Sequence, residues 1–150
     1  MLDSHSAFQC VVIAPSGKLL DCKTTSVVFP AHDGQMGILY NHIPMFCKLG
    51  LGIMKIKGVP SDTEPLPKHS FLLIDEGLAL MCSNLLTIIA QDAIWLHDLQ
   101  TEKIEIILEK AKAKLARDDF TLQQRNHEMQ KLSFLTKLAQ ISSTDRKSPF

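Results

Sequence analysis

The apolar pattern of this chain changes period once, and that change narrows the available folds more than any other feature. From Phe8 to Ile94 the apolar residues fall in short alternating or continuous runs, separated by residues that favour turns. The expected strands are Phe8–Ile13, Leu19–Asp21, Thr24–Phe29, Gly37–Leu39, Leu49–Lys57, Ser70–Ile74, Leu78–Cys82 and Leu85–Ala90. Pro15-Ser16-Gly17, Asp33-Gly34, the Pro60 to Pro67 segment, Glu76-Gly77 and Ser83-Asn84 supply the breaks. Leu51, Ile53 and Lys55 alternate like a half-buried strand, whereas Phe71-Leu72-Leu73-Ile74 reads as buried on both faces.

After Asp98 the pattern is helical: Ile104, Ile107, Leu108, Ala111 and Leu115 fall on one face. Asp98 is the expected N-cap, with Glu102 in the first turn. A second helix is expected from Thr121, whose spacing to Gln124 fits a capping box, with a stripe of Met129, Leu132, Leu135 and Ala139. Asp118-Asp119-Phe120 is a weak break, and neither Gly nor Pro lies between Asp98 and Ser148. The pair can therefore close as a hairpin or open into a rod. The tail from Ser142 to Phe150 is expected to fray. Together these patterns predict an N-terminal antiparallel β-sandwich, or flattened barrel, over residues 1–93. A two-helix hairpin follows over 94–150, more weakly held and therefore mobile.

At 45% hydrophobic residues the chain can bury a real core. Sixteen basic and sixteen acidic residues balance, which leaves no global field to draw in nucleic acid or an anionic bilayer. Cys10, Cys22, Cys47 and Cys82 are scattered without a Cys-x-x-Cys pair and read as four reduced, mostly buried thiols. Met1 to Phe8 carries Asp3 and His5 and no apolar core, so the expectation is no signal peptide and cytoplasmic residence. No apolar run approaches the roughly 20 residues that cross a bilayer, so membrane association is expected only through a partner.

The run Pro30 to Met45 holds two glycines, two histidines and two prolines in sixteen residues. Such a concentration of conformationally special residues marks a surface segment whose path is set for a partner. His32, Asp33 and His42 admit a metal-dependent hydrolase reading, but no helix sets them at ligand spacing. No Lys-Ser or Lys-Thr follows the glycines, as a phosphate loop requires, and no Gly-x-Ser-x-Gly elbow occurs.

Four stretches resemble the epsilon subunit of bacterial F-type ATP synthase: Phe8 to Pro15, Val27 to Ala31, Asp33-Gly34-Gln35-Met36-Gly37-Ile38 with Asn41-His42-Ile43-Pro44, and Leu85 to Ala93. The likeness runs from Phe8 to Leu138. It implies a non-catalytic central-stalk subunit of a proton-translocating synthase, peripheral at the cytoplasmic face of the inner membrane, without cofactor or metal. The implied partners are the gamma subunit and the c ring, with the alpha/beta head reached through the C-terminal helices. Asp33, Gly34, Gln35, Met36 and Gly37 would face the rotor ring in a loop, and His42 and Pro44 the stalk. Gln35 stands where many members are acidic, which replaces a salt bridge by a hydrogen-bonded contact. Asp75-Glu76-Gly77 stands where the family commonly has Gly-Gly, implying a differently shaped turn.

Some relatives bind ATP through a motif with Asp and Arg at the start of the first C-terminal helix. Here Leu99-Gln100-Thr101-Glu102-Lys103-Ile104 has Gln and Lys at those places, and Lys lacks the planar fork of Arg. Weak or absent ATP binding is expected, and isothermal titration checks it. Lys110, Lys112, Lys114 and Arg117 lie among Glu105, Glu109, Asp118 and Asp119 without interleaved aromatic residues, which argues for a solvated face and against nucleic acid. On an opened helix the same cations would meet acidic surfaces of the head and brake hydrolysis. The competing expectation is a β-sandwich adapter with a helical docking arm and a different partner.

Overall fold

The computed structural model describes residues 6–58, 70–99, 101–117 and 119–144, with the backbone alone for Thr101 and 141–144. The expected Pro60 to Pro67 turn, Gln100, Asp118 and the tail beyond Thr144 lie outside the described residues. The chain divides into two compact units, Met1–Leu96 and His97–Phe150.

Seven strands build the first unit: β1 (Phe8–Ala14), β2 (Gly17–Ala31), β3 (Gly34–Leu39), β4 (Met45–Leu49), β5 (Gly52–Gly58), β6 (Ser70–Cys82) and β7 (Leu85–Trp95). The pairings β1 with β7, β7 with β6, β6 with β5, β5 with β2 and β2 with β1 close a ring, which removes most free edges. β3 and β4 attach to it through β2 and β6. All pairings are antiparallel except β1 with β7, which run parallel.

Two of the expected breaks are absent because long strands pass from one layer to the other. Leu19–Asp21 and Thr24–Phe29 are one strand, β2, whose first half pairs β1 and whose second half pairs β5 and β3. At the changeover the register slips between Thr24 and Ser26. The buried Thr24 hydroxyl donates there to the Lys57 carbonyl at 2.5 Å, so the corner keeps its polar group satisfied. Ser70–Ile74 and Leu78–Cys82 likewise merge into β6. Glu76-Gly77 is a kink within that strand, with φ of 48° and 142°, while Gly77 stays in register with Leu49 and Ala90.

The expected strand Leu49–Lys57 is instead broken at Gly50-Leu51, where the Gly50 N–H donates to the Pro30 carbonyl at 2.9 Å. In β5 the inward residues are Met54 and Ile56, opposite in phase to the expected Leu51, Ile53 set. Apolar residues occupy both phases here, so pairing with Leu72 and Ser70 on β6 decides the phase. Leu72, Leu73 and Ile74 are buried as expected, but Phe71 is exposed. The core joins Phe8, Phe29, Ile38, Met54, Leu72, Met81 and Ile88. Each fully buried side chain of this size contributes about 1.5–3 kcal/mol.

In the second unit α1 (Thr101–Leu115) and α2 (Leu122–Thr144) pack on each other. Ile104 and Ala111 are buried and Ile107, Leu108 and Leu115 half-buried, as the spacing predicts. Leu135 is buried and Leu132 and Ala139 half-buried, but Met129 is exposed. Six residues before Leu135, Met129 lies about 120° around the helix, so it leaves the stripe. Asp98 closes a 3₁₀ turn, Leu96–Asp98, three residues before α1, and is too early to be its cap. Ser142–Thr144, expected to fray, continue α2.

The capping box is formed: the Thr121 N–H donates to the Gln124 side chain at 3.0 Å, and the Gln124 N–H to the Thr121 hydroxyl at 3.4 Å. The second bond is long, so Thr121→Ala should destabilise α2 by about 0.5–1 kcal/mol, at the lower end of cap losses. Amide exchange in the first turn of α2 measures it.

Candidate interaction surface

Strands β4, β6, β7 and β1 lie side by side, and their registers define rows across the sheet. Inward rows run Met45, Met81, Leu86, Cys10 and Cys47, Ala79, Ile88, Val12. The outward rows between them run Phe46, Leu80, Thr87, Val11 and Lys48, Leu78, Ile89, Ile13. A sheet with one face on the core ordinarily turns polar residues outward. Here Phe46 is 67% exposed, Ile89 51% and Leu80 48%, with Leu78 and Ile13 also exposed. Neighbouring Leu85 and Ile43 extend the same exposed apolar character. A contiguous apolar face on a sheet that already has a core behind it marks an interaction site.

The rim of this face is polar. Lys48 borders it at β4, and at β2 Lys18 and Asp21 stand opposite Ile13 and Val11. Lys18 binds Asp21 at 2.7 Å, and the Gln9 amide donates to the same carboxylate. These bonds, Lys18 first and Gln9 second, hold the Asp21 carboxyl below its usual range. Such stabilisation is present above the unfolded-state pKa and lost as pH falls through the lower folded-state value. Asp21→Asn should therefore lower Tm slightly at neutral pH, with the difference shrinking as the pH falls below the ordinary carboxylate range, as thermal melts at a series of pH values will read.

The expected partner loop is a tight hairpin. His32 and Asp33 alone form its turn, and Gly34, Gln35, Met36 and Gly37 belong to β3, paired with Ala31, Pro30, Phe29 and Val28. Gly34, the first residue of β3 after the turn, is at φ 145°, a conformation that favours glycine. The end of β4 buttresses the turn: the His32 N–H donates to the Lys48 carbonyl at 3.0 Å. Asp33, Gly34, Gln35 and Gly37 are exposed and Met36 half-buried.

His42 and Pro44 sit at the other end of β3, in the connection to β4, about 20 Å of strand away from the tip. His42 is half-buried, its Nδ1 is 2.8 Å from the Ile43 carbonyl, and Pro44 is exposed. Asn41 and Asn84, both at positive φ, bond reciprocally: the Asn41 N–H donates to the Asn84 side chain at 2.7 Å, and the Asn84 amide to the Asn41 side chain at 3.0 Å. The connection is thereby clipped to the β6–β7 turn. One contiguous run of sequence thus serves two separate ends of a hairpin.

Lys110, Lys112 and Lys114 are exposed on α1, and Arg117 is exposed just beyond its end. By helical spacing Lys110 and Lys114 share one flank of the apolar stripe and Lys112 lies on the other. Among the described residues no group of three or more His, Cys, Asp or Glu is placed to hold a metal ion. None of the four cysteines is in a disulfide, but Cys10 alone is buried; Cys22 and Cys47 are half-buried and Cys82 is exposed.

Residues 7–96, the whole strand-bearing unit, match the family described as ATP synthase, Delta/Epsilon chain, beta-sandwich domain. The chain belongs to this family. It is 33% identical to the chloroplastic ATP synthase epsilon chain of Pylaiella littoralis over 69% of its length and 74% of the relative's. To the epsilon chain of Lactiplantibacillus plantarum it is 26% identical, over 77% of this chain and 78% of that one. Its fold is similar to a chain in the cryo-EM structure of the Tetrahymena thermophila mitochondrial ATP synthase central stalk and c ring, with a TM-score of 0.62 at 13% identity, over 87% and 95% of the two chains. As an epsilon subunit of the delta/epsilon family it is non-catalytic.

The apolar sheet face was hidden in the sequence because Leu78-Ala79-Leu80-Met81 and Leu85-Leu86-Thr87-Ile88-Ile89 are nearly continuous apolar runs, with little polar alternation to mark an outward face. Strand length and composition do not separate a covered second face from an uncovered one.

Proposed function

We propose that this chain couples the catalytic head of a proton-translocating F-type ATP synthase to its rotor, as a central-stalk subunit that performs no bond chemistry. The gamma subunit covers the apolar face of Phe46, Leu78, Leu80 and Ile89, and the connection carrying His42 and Pro44 continues that contact. The hairpin tip, Asp33, Gly34, Gln35, Met36 and Gly37, meets the polar loops of the c ring. Gln35 acts there through hydrogen bonds.

The single observation that carries this reading is the outward apolar surface of β4, β6, β7 and β1, which has a polar rim of the kind found around protein interfaces. A ring of paired strands with a buttressed tip suits a part that must transmit torque without deforming. Among the described residues no helix is long and apolar enough to cross a membrane. In this reading the chain sits peripherally, at the cytoplasmic face of the bacterial inner membrane, held by its partners. Affinity purification of the intact complex tests the assignment: gamma and c subunits should copurify, and recovery of neither overturns it.

The helical unit is the regulatory part and the mobile one. Lys110, Lys112, Lys114 and Arg117 meet acidic surfaces of the alpha/beta head when the helices open, and so brake hydrolysis. Deleting everything after Asp98 should leave assembly intact and raise ATP hydrolysis by the complex several-fold; unchanged hydrolysis would count against the brake. Reversing all four charges should reproduce the effect at low salt and lose it at high salt.

A further inference from the structure

Cys10 and Cys22 occupy directly opposed positions on β1 and β2. Opposed residues of an antiparallel pair project from the same face of the sheet, with Cα atoms about 4.5–5.5 Å apart. That separation lies inside the range of about 4.4–6.8 Å that a disulfide accepts. Both side chains turn inward, in a column with Phe8 opposite Thr24 and Val12 opposite Leu20. Cys10 is part of the core and Cys22 packs against it while keeping partial exposure. No such partner faces the other two thiols, since Cys47 stands opposite Ala79 and Cys82 opposite Leu85.

We propose that Cys10 and Cys22 form a reversible dithiol–disulfide site that bolts β1 to β2 under oxidising conditions, with a small-molecule disulfide as oxidant. The inference is independent of the stalk assignment. Burial, with Cys22 and Asp21 nearby, pushes the Cys10 thiol well above its ordinary range, so Cys10 is a poor first nucleophile. Cys22, partly exposed, attacks first. Its thiolate sulfur bonds to one sulfur of the oxidant RSSR, releasing one RSH and leaving Cys22–S–S–R. The Cys10 thiol then loses its proton and attacks the Cys22 sulfur, expelling the second RSH. Two protein thiols are oxidised to one disulfide as one external disulfide is reduced to two thiols. The fixed opposition of the two strands favours the second step over release of the adduct.

The experiment uses the full chain carrying Cys47→Ser and Cys82→Ser, equilibrated in mixtures of glutathione disulfide and reduced glutathione, then alkylated and weighed intact. The expected product has lost two hydrogens, takes no alkylating agent, melts roughly 5–10 °C higher and reverts on adding dithiothreitol. A variant with Cys22→Ser in the same background should show no redox-dependent change in Tm. Retention of two alkylatable thiols throughout overturns the proposal. So does a stable glutathione adduct on Cys22, or an equal rise in Tm in the Cys22→Ser variant. Circular dichroism on each sample confirms that the strands are present when the thiols react.

Discussion

Replacing Leu80 and Ile89 together by aspartate should weaken binding to the gamma subunit by at least about a hundredfold while leaving the sandwich folded. Both side chains stand on outward rows of adjacent strands, 48% and 51% exposed, so a carboxylate there remains in water in the free subunit. In a complex that covers them, two effects combine: the lost burial of an aliphatic side chain, about 1.5–3 kcal/mol each, and the cost of dehydrating a charge without a partner. Their sum exceeds the ~2.7 kcal/mol that corresponds to a hundredfold change. The inward neighbours Ile88 and Met81 are untouched, so Tm should move by no more than a few degrees. Isothermal titration with purified gamma, beside a thermal melt, reads both quantities. Unchanged affinity in a folded variant would remove the apolar face from the stalk contact. Gln35→Ala should leave gamma binding intact, because Gln35 lies on β3, outside the rows of β4, β6, β7 and β1 that form the apolar face.

The second large effect belongs to the kink in β6. Gly77→Ala should lower the unfolding free energy by about 3–5 kcal/mol, a large part of what a domain this size holds. A Cβ at this position would lie 2.0 Å from the Ile89 carbonyl oxygen and 2.8 Å from the Ala90 Cα, both backbone atoms of the paired strand. At φ 142° an L-residue is also strained whatever the space. Relief requires β6 to draw away from β7 in the middle of the ladder. Gly34→Ala is the control: its φ is 145°, but a Cβ there meets nothing within 4 Å. It should therefore carry the conformational strain alone, about 1–2 kcal/mol. Urea unfolding of both variants separates clash from strain. Equal losses at the two sites would show that the close approach of β7 matters little.

Legibility in the sequence followed the range of the forces involved. The capping box at Thr121 and Gln124 and the α1 stripe were readable because helical contacts join residues three or four apart. Met129 was misplaced on the stripe because repeated steps of three drift around the helix. Asp98 was misplaced as a cap because β7 runs on to Trp95 and a 3₁₀ turn intervenes before α1. Cysteine burial was misjudged because a thiol alone does not say which face of its strand is inward. The Asp33 to Gly37 segment reads as a loop in the sequence because its glycines suggest turns. Pairing with Phe29 and Val28 makes most of it strand.

What the amino-acid sequence determined by itself is the order of elements, the change from strand to helix near residue 96, and the family. Each of these is written in local periodicity or in short motifs such as Asp33-Gly34-Gln35-Met36-Gly37 with His42 and Pro44. Only the tertiary structure decided which apolar strand faces are core and which are surface, and which cysteines meet. Those outcomes depend on cross-strand register between residues tens of positions apart, such as Phe46 with Leu80 and Leu78 with Ile89. Register arises when the whole ring closes, since a one-residue slip would turn each inward row outward.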